Sequence, residues 1–200
     1  MRPLKLALSA VLLLALTACA GASTRFYNLQ PTSGPGGARS AYAGPAFRID
    51  AVHIPASLDR PELVRELSGD RFVVSDNDHW AGPLGELFRR VLTQDLAARL
   101  PVDAVVYPDA PKPAGVGGLV VDILDVTPLS GGVVMDVSWT LLPSQGRTGQ
   151  NGTPALMRQR TLRLSTPSVG GSGSGNAMEL SALADQLAAK IATDLASTPR

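Results

Sequence analysis

The sequence predicts an α+β fold: a mostly antiparallel sheet with two amphipathic helices packed on one face, preceded by a cleaved lipoprotein signal peptide. Three observations carry that expectation. Leu119 to Val126 and Val133 to Leu142 are strongly apolar stretches joined by Ser130-Gly131-Gly132, which is the pattern of a β-hairpin. Apolar residues recur three or four apart over Leu84 to Leu96 and again over Leu180 to Leu195, giving two helical stripes. Strands followed by a helix come twice along the chain with no residue-level repeat, an order that suits one layered domain.

The chain opens with Arg2 and Lys5 and an apolar run from Leu6 to Leu16 broken only by Ser9, the layout of an export signal. Leu16-Thr17-Ala18-Cys19 then places two small residues before the only cysteine. That order suits cleavage between Ala18 and Cys19 and attachment of lipid to Cys19. The thiol is the nucleophile that takes a diacylglycerol through a thioether, and the small residues let the protease reach the bond. An ordinary signal peptidase cutting after Ala20, an uncleaved anchor, and a structural thiol are the competing readings. The run is short of the roughly 20 apolar residues a spanning helix needs, and a thiol directly behind an export segment has no core to enter. No cofactor is expected beyond the covalent diacylglycerol and N-acyl lipid on Cys19.

Residues 1–18 are thus read as signal peptide, 19–45 as lipidated amino terminus and flexible tether, and 46–200 as a single periplasmic domain. The 182 residues left after cleavage suffice for one core. The removed segment holds two of the 18 basic residues and none of the 17 acidic ones, so the mature chain carries one net negative charge. That balance excludes an electrostatic footprint for nucleic acid. One cysteine excludes an internal disulfide and a cysteine-based metal site.

Within the mature chain, Arg25-Phe26-Tyr27-Asn28-Leu29 suits a first strand, and Gln30 to Pro45 is Gly-, Pro- and Ser-rich, as a tether would be. Phe47 to Ile54 reads as a central strand closed by Pro55. Ser57 to Pro61 is a turn-rich connection, Glu62 to Leu67 a short element, and Arg71 to Ser75 a brief strand. Asp76-Asn77-Asp78-His79-Trp80 fails the EF-hand spacing, with Trp80 and Ala81 where an oxygen ligand and a glycine belong. It is read as the end of a strand and the start of a helix. That first helix places Leu84, Leu87, Phe88, Val91, Leu92 and Leu96 on one stripe and Arg89, Arg90, Gln94, Asp95 and Arg99 opposite, with Glu86 and Arg90 one turn apart. Pro83 suits its first turn and Pro101 its stop. After a short strand at Ala104 to Tyr107 and the hairpin, Leu156 to Leu164 is a further strand whose Arg158, Arg160 and Arg163 suit a solvated face or edge. Asn176 with Glu179 resembles a capping box opening the second helix.

No catalytic or metal site is expected. His53 and His79 fall on a strand and in a turn without a serine, cysteine or carboxylate in any testable motif, and Gly115-Val116-Gly117 lacks the third glycine of a dinucleotide loop. An enzyme is therefore disfavoured.

Phe26-Tyr27-Asn28-Leu29, then Ile54-Pro55-x-x-Leu58-Asp59-Arg60-Pro61, then Trp80-Ala81-Gly82-Pro83-Leu84 opening a helix, resemble in content and order the ABC-type transport auxiliary lipoproteins of the PqiC/YmbA-like group. The chain differs from that pattern at Ser57 and Gly82. The resemblance implies a non-catalytic outer-membrane component of a lipid-transport system that works with an MCE-domain protein of an inner-membrane ABC complex, contributes to membrane integrity, and assembles into a homo-oligomeric ring. Leu58, Arg60 and Trp80 are its candidate structural or partner-contact residues. Ala20, rather than aspartate, after the cysteine accords with sorting to the outer membrane. The rival expectation is an envelope hydrolase or assembly factor acting on lipopolysaccharide or peptidoglycan machinery.

Overall fold

A computed structural model of the protein describes residues 23–32, 39–67, 71–129, 131–144, 158–170 and 172–197. The expected signal peptide, its cleavage site at Ala18 and the acceptor Cys19 lie outside the described residues. Eight strands and two helices follow in the order β1 (Arg25–Tyr27), β2 (Phe47–His53), β3 (Glu62–Leu67), β4 (Arg71–Trp80), α1 (Leu84–Arg99), β5 (Val105–Val106), β6 (Gly117–Leu129), β7 (Gly132–Leu142), β8 (Arg158–Pro167) and α2 (Gly173–Ala196) among the described residues.

The fold is α+β, but its sheets are mixed rather than mostly antiparallel. A five-stranded sheet runs β5-β2-β6-β7-β8 and a three-stranded sheet runs β1-β4-β3. The β2–β5, β2–β6 and β1–β4 ladders are parallel, while β3–β4, β6–β7 and β7–β8 are antiparallel. Local turn chemistry explains why only half of this was visible. Strands β6, β7 and β8 follow one another, and β3 and β4 follow one another, so their pairing is antiparallel. From β2, by contrast, the chain leaves for the small sheet and α1 before returning to β5 and β6, and such a crossover yields parallel partners.

The expected hairpin forms and turns one face to the core. Phe47 and Ile49 of β2, Leu119 and Val121 of β6, and Met135, Val137 and Trp139 of β7 are buried, and the register places them on one side of the sheet. A bulge at Asp50 shifts the β2–β6 register and one at Leu124 shifts β6–β7, so alternation resumes in step on either side. Gly131 takes φ 96° in the β6–β7 turn, a conformation open to glycine. Both helices cover the apolar side, with Phe88, Val91, Leu92 and Leu96 of α1 and Leu183, Leu187 and Ile191 of α2 joined to it in one core. Arg99 of α1 links the helices through its Nη2, 2.7 Å from Asp185 Oδ1.

Three local expectations need correction, and a fourth gains detail. Asp76 to Trp80 does not lie beyond a strand that stops at Ser75, nor does it start the helix. It continues β4, and its polar residues are absorbed by an irregularity in the β3–β4 register in which Asp78 N–H donates to Ser75 Oγ at 3.1 Å. Helix α2 begins at Gly173 with Ser172 as its cap, Oγ accepting from Gly175 N–H at 3.2 Å, four residues before the cap suggested at Asn176. Glu179 instead turns back to accept from Val169 N–H at 2.8 Å and Ser168 Oγ at 3.1 Å. Glu86 pairs with Arg89, one residue short of the expected Arg90. Of the three strand arginines, β8 does lie at the sheet edge, yet Arg158 donates to the Asp194 carbonyl near the end of α2 and Arg160 lies 4.0 Å from the Asp194 carboxylate. These two cations therefore sit at the negative end of a helix dipole, and only Arg163 is on the other face, 3.4 Å from Asp136.

Candidate functional site

The three stretches that the sequence singles out converge. Ile54 follows β2, and Pro55 folds the chain through a turn in which its carbonyl accepts from Leu58 N–H at 2.8 Å and Asp59 N–H at 3.0 Å. That turn carries the chain from the large sheet to the small one. The Pro61 carbonyl then accepts from Trp80 N–H at 2.7 Å, and Ala81 N–H donates to the Tyr27 carbonyl at 2.8 Å. Two consecutive amides at the end of β4 thus tie one stretch to each of the other two. Directly after them Pro83 opens α1, whose Gly85 packs so close to β2 that a β-carbon there would lie 2.9 Å from the Val52 carbonyl oxygen. Tyr27 rests its ring over Gly173 at the start of α2, where any β-carbon would collide with it. Both sheets and both helices therefore meet at this junction.

Of the candidate contact residues, Trp80 is buried and Leu58 is half-buried against the core, so both serve the junction. Arg60 points outward, with Nε 3.0 Å from Glu62 Oε2 and nearly half of its side chain exposed. Of the three, Arg60 alone offers a polar group to a partner. A hydrogen bond from its own backbone N–H, and next the Arg60 guanidinium, hold the Glu62 carboxyl below the usual carboxylate range.

From the junction the amino-terminal segment crosses the helices. Leu29 is fully buried. Arg90 Nη2 donates to Asn28 Oδ1 at 2.9 Å and to the Leu29 carbonyl at 2.8 Å, Gln30 N–H donates to Ser181 Oγ at 3.1 Å, and Thr32 N–H donates to Asp95 Oδ1 at 3.2 Å. Residues 28–32, of which composition assigns 30–32 to the tether, thus bridge α1 and α2. They also explain why Asp95, on the expected polar face of α1, has no exposed surface. Ahead of this segment, Arg25 Nε lies 2.7 Å from Asp78 Oδ1 and fixes β1 beside β4. The Arg25 hydrogen bond is the main cause holding the Asp78 carboxyl below its ordinary value, with Ser75 adding to it.

The two histidines do acquire carboxylate or aromatic neighbours. His53 Nδ1 lies 2.6 Å from Asp122 Oδ1 on the exposed face of the large sheet. Ser138 stands across from Asp122 on the side away from His53 in the strand order β2-β6-β7, and its Oγ donates to the Arg160 carbonyl at 3.2 Å. A nucleophile–base pair needs histidine between the acid and the serine, and this order puts the acid in the middle. His79 stacks at 5.9 Å from Phe26. No group of three or more His, Cys, Asp or Glu able to hold a metal occurs among the described residues. No helix among them is long and apolar enough to cross a membrane.

Two crystal structures share this architecture and so define its fold class. An uncharacterised protein superimposes with a TM-score of 0.64 at 22% identity, covering 87% of this chain and 99% of that one. A DUF330 protein of Xanthomonas campestris gives 0.62 at 13% identity, covering 84% and 93%. None of the curated proteins matches the chain in sequence. Residues 27–192 match the model of the ABC-type transport auxiliary lipoprotein component, and the chain belongs to that family. The matched span begins at Tyr27, where the amino-terminal segment enters the junction.

Proposed function

We propose that this chain is an outer-membrane lipoprotein, held on the periplasmic face by acyl chains on Cys19, which docks an MCE-domain protein of an inner-membrane ABC complex and so serves intermembrane lipid transport. It acts without catalysis, as a fixed mooring in a ring of identical copies, and Arg60 offers a polar contact at the rim of the junction. The observation that carries this reading is the family match over residues 27–192. It is supported by Leu16-Thr17-Ala18-Cys19 behind an apolar leader. Each buried acyl methylene contributes ~0.8 kcal/mol and one chain holds only marginally, so three chains on one cysteine, two through the diacylglycerol on its sulfur and one on its amine, make release negligible.

The test is capture of an MCE-domain protein by the native lipidated chain under crosslinking, run beside mass spectrometry of the mature amino terminus. The reading expects a tri-acylated Cys19, outer-membrane fractionation and specific capture. A fully acylated chain that captures no MCE-domain protein overturns the docking role, and an unmodified Cys19 overturns the anchor.

A further inference from the structure

The small sheet leaves apolar side chains uncovered. Phe26 of β1 and Phe72, Val73 and Val74 of β4 are 68%, 45%, 42% and 38% exposed. They make up four of the ten large apolar side chains exposed among the described residues. Successive strand residues point to opposite faces, so exposure of all three consecutive β4 residues means that the core covers neither face of the ribbon there. Arg71, exposed at the start of β4, adds a cation beside them.

The direction of β1 says what lies against these side chains. Because β1 runs parallel to β4, with Arg25 opposite Asp78 and Tyr27 opposite Trp80, the chain ahead of Arg25 arrives from the Arg71 end of the ribbon. Phe72 lies six residues before Asp78, or about 20 Å along an extended strand. Cys19 lies six residues before Arg25, so its reach is bounded by about the same ~20 Å. A bilayer holding the acyl chains of Cys19 is therefore within range of Phe72 to Val74.

We propose that the β4 segment Arg71 to Val74 lies in the lipid surface, with Phe72, Val73 and Val74 at the boundary of headgroups and acyl chains and Arg71 at the lipid phosphates. This rests on the proposed acylation of Cys19. An exposed segment of this kind settles only ~5–10 Å into the bilayer. Its role is to set orientation, since three acyl chains already supply retention. The ribbon enters the membrane boundary by its Arg71 end, so that both of its faces meet lipid there, and the body of the domain stands off it on the far side of the junction.

The experiment uses the full-length lipidated protein in vesicles of phosphatidylethanolamine and phosphatidylglycerol. Cys19 is the only cysteine, and acylation consumes it, so V73C or V74C can carry a single polarity-sensitive fluorophore; Gln159→Cys, on the exposed edge strand of the other sheet, is the control. Expected are a blue-shifted emission at position 73 or 74 and several-fold quenching by spin-labelled lipid, with neither at 159. With an acylated Cys19 confirmed by mass, emission equal to that of the control overturns the membrane contact and leaves the anchor standing. A blue shift that lipid-borne quenchers leave untouched overturns it in favour of a second copy covering the ribbon. Absence of acyl mass on Cys19 overturns both the contact and the anchor it rests on.

Discussion

Arg90 Nη2 lies 2.8 Å from the carbonyl oxygen of Leu29, so a side chain midway along the first helix holds the backbone of a segment that precedes it by 61 residues. The same nitrogen takes Asn28 Oδ1. Between these polar bonds the Leu29 side chain is fully buried. Leu29→Ala is expected to cost about 2–5 kcal/mol, because the segment cannot collapse into the space without breaking its bonds to both helices. Arg90→Ala is expected to cost about 1–3 kcal/mol through the unpaired carbonyl. Urea unfolding of the two variants measures both.

Gly85 is required by its surroundings. A β-carbon would meet the Val52 backbone oxygen at 2.9 Å, and backbone cannot swing away as a side chain tip can. Alanine ordinarily strengthens a helix interior, but here Gly85→Ala should destabilise by about 1–3 kcal/mol through overpacking. The sign of the shift in thermal midpoint decides the matter.

Trp80 and Arg60 should separate cleanly. Trp80 is buried at the junction, and Trp80→Ala is expected to cost about 3–5 kcal/mol. Arg60 makes an exposed ion pair with Glu62, so Arg60→Ala should change stability by less than about 1 kcal/mol. If Arg60 contacts the partner as proposed, capture of the MCE-domain protein falls for Arg60→Ala while its unfolding curve stays in place.

Acid should loosen the amino-terminal strand. Asp78 and Glu62 both have carboxyls held below their ordinary values in the folded protein. Their contribution is therefore complete above the unfolded-state value of ~4 and is lost as pH falls through the lower folded value. Asp78→Asn should lower stability at neutral pH and flatten the decline between neutrality and pH ~3. Urea midpoints of wild type and variant across that range test this, and parallel curves would assign the decline to other carboxyls.

The parts of the fold visible in the sequence are those fixed by neighbours along the chain. The α1 stripe through Leu84, Phe88 and Leu92 and the β7 alternation of Met135, Val137 and Trp139 are local patterns that the structure repeats. The parallel β2–β6 ladder was hidden because a crossover leaves no turn signature. The burial of Asp95 was hidden for a related reason, since its cover comes from Thr32, 63 residues away. Likewise, the order of the three motif stretches was legible, whereas their meeting through the Tyr27 and Pro61 carbonyls depends on backbone groups that no residue type announces. Asp78 invited a metal reading because its negative charge was plain in the sequence and the guanidinium opposite, Arg25, was not.

The bond from Gln30 to Ser181 spans 151 residues, which sets an order of events during synthesis. The segment carrying Leu29 emerges from the ribosome early but cannot seat until α2, near the far end of the chain, has followed it. Assembly of the helix pair and its bridge is therefore a late, long-range step, slow in the way that large sequence separations impose. Until then the amino-terminal stretch stays unpacked, which would leave it open to the acylation proposed at Cys19.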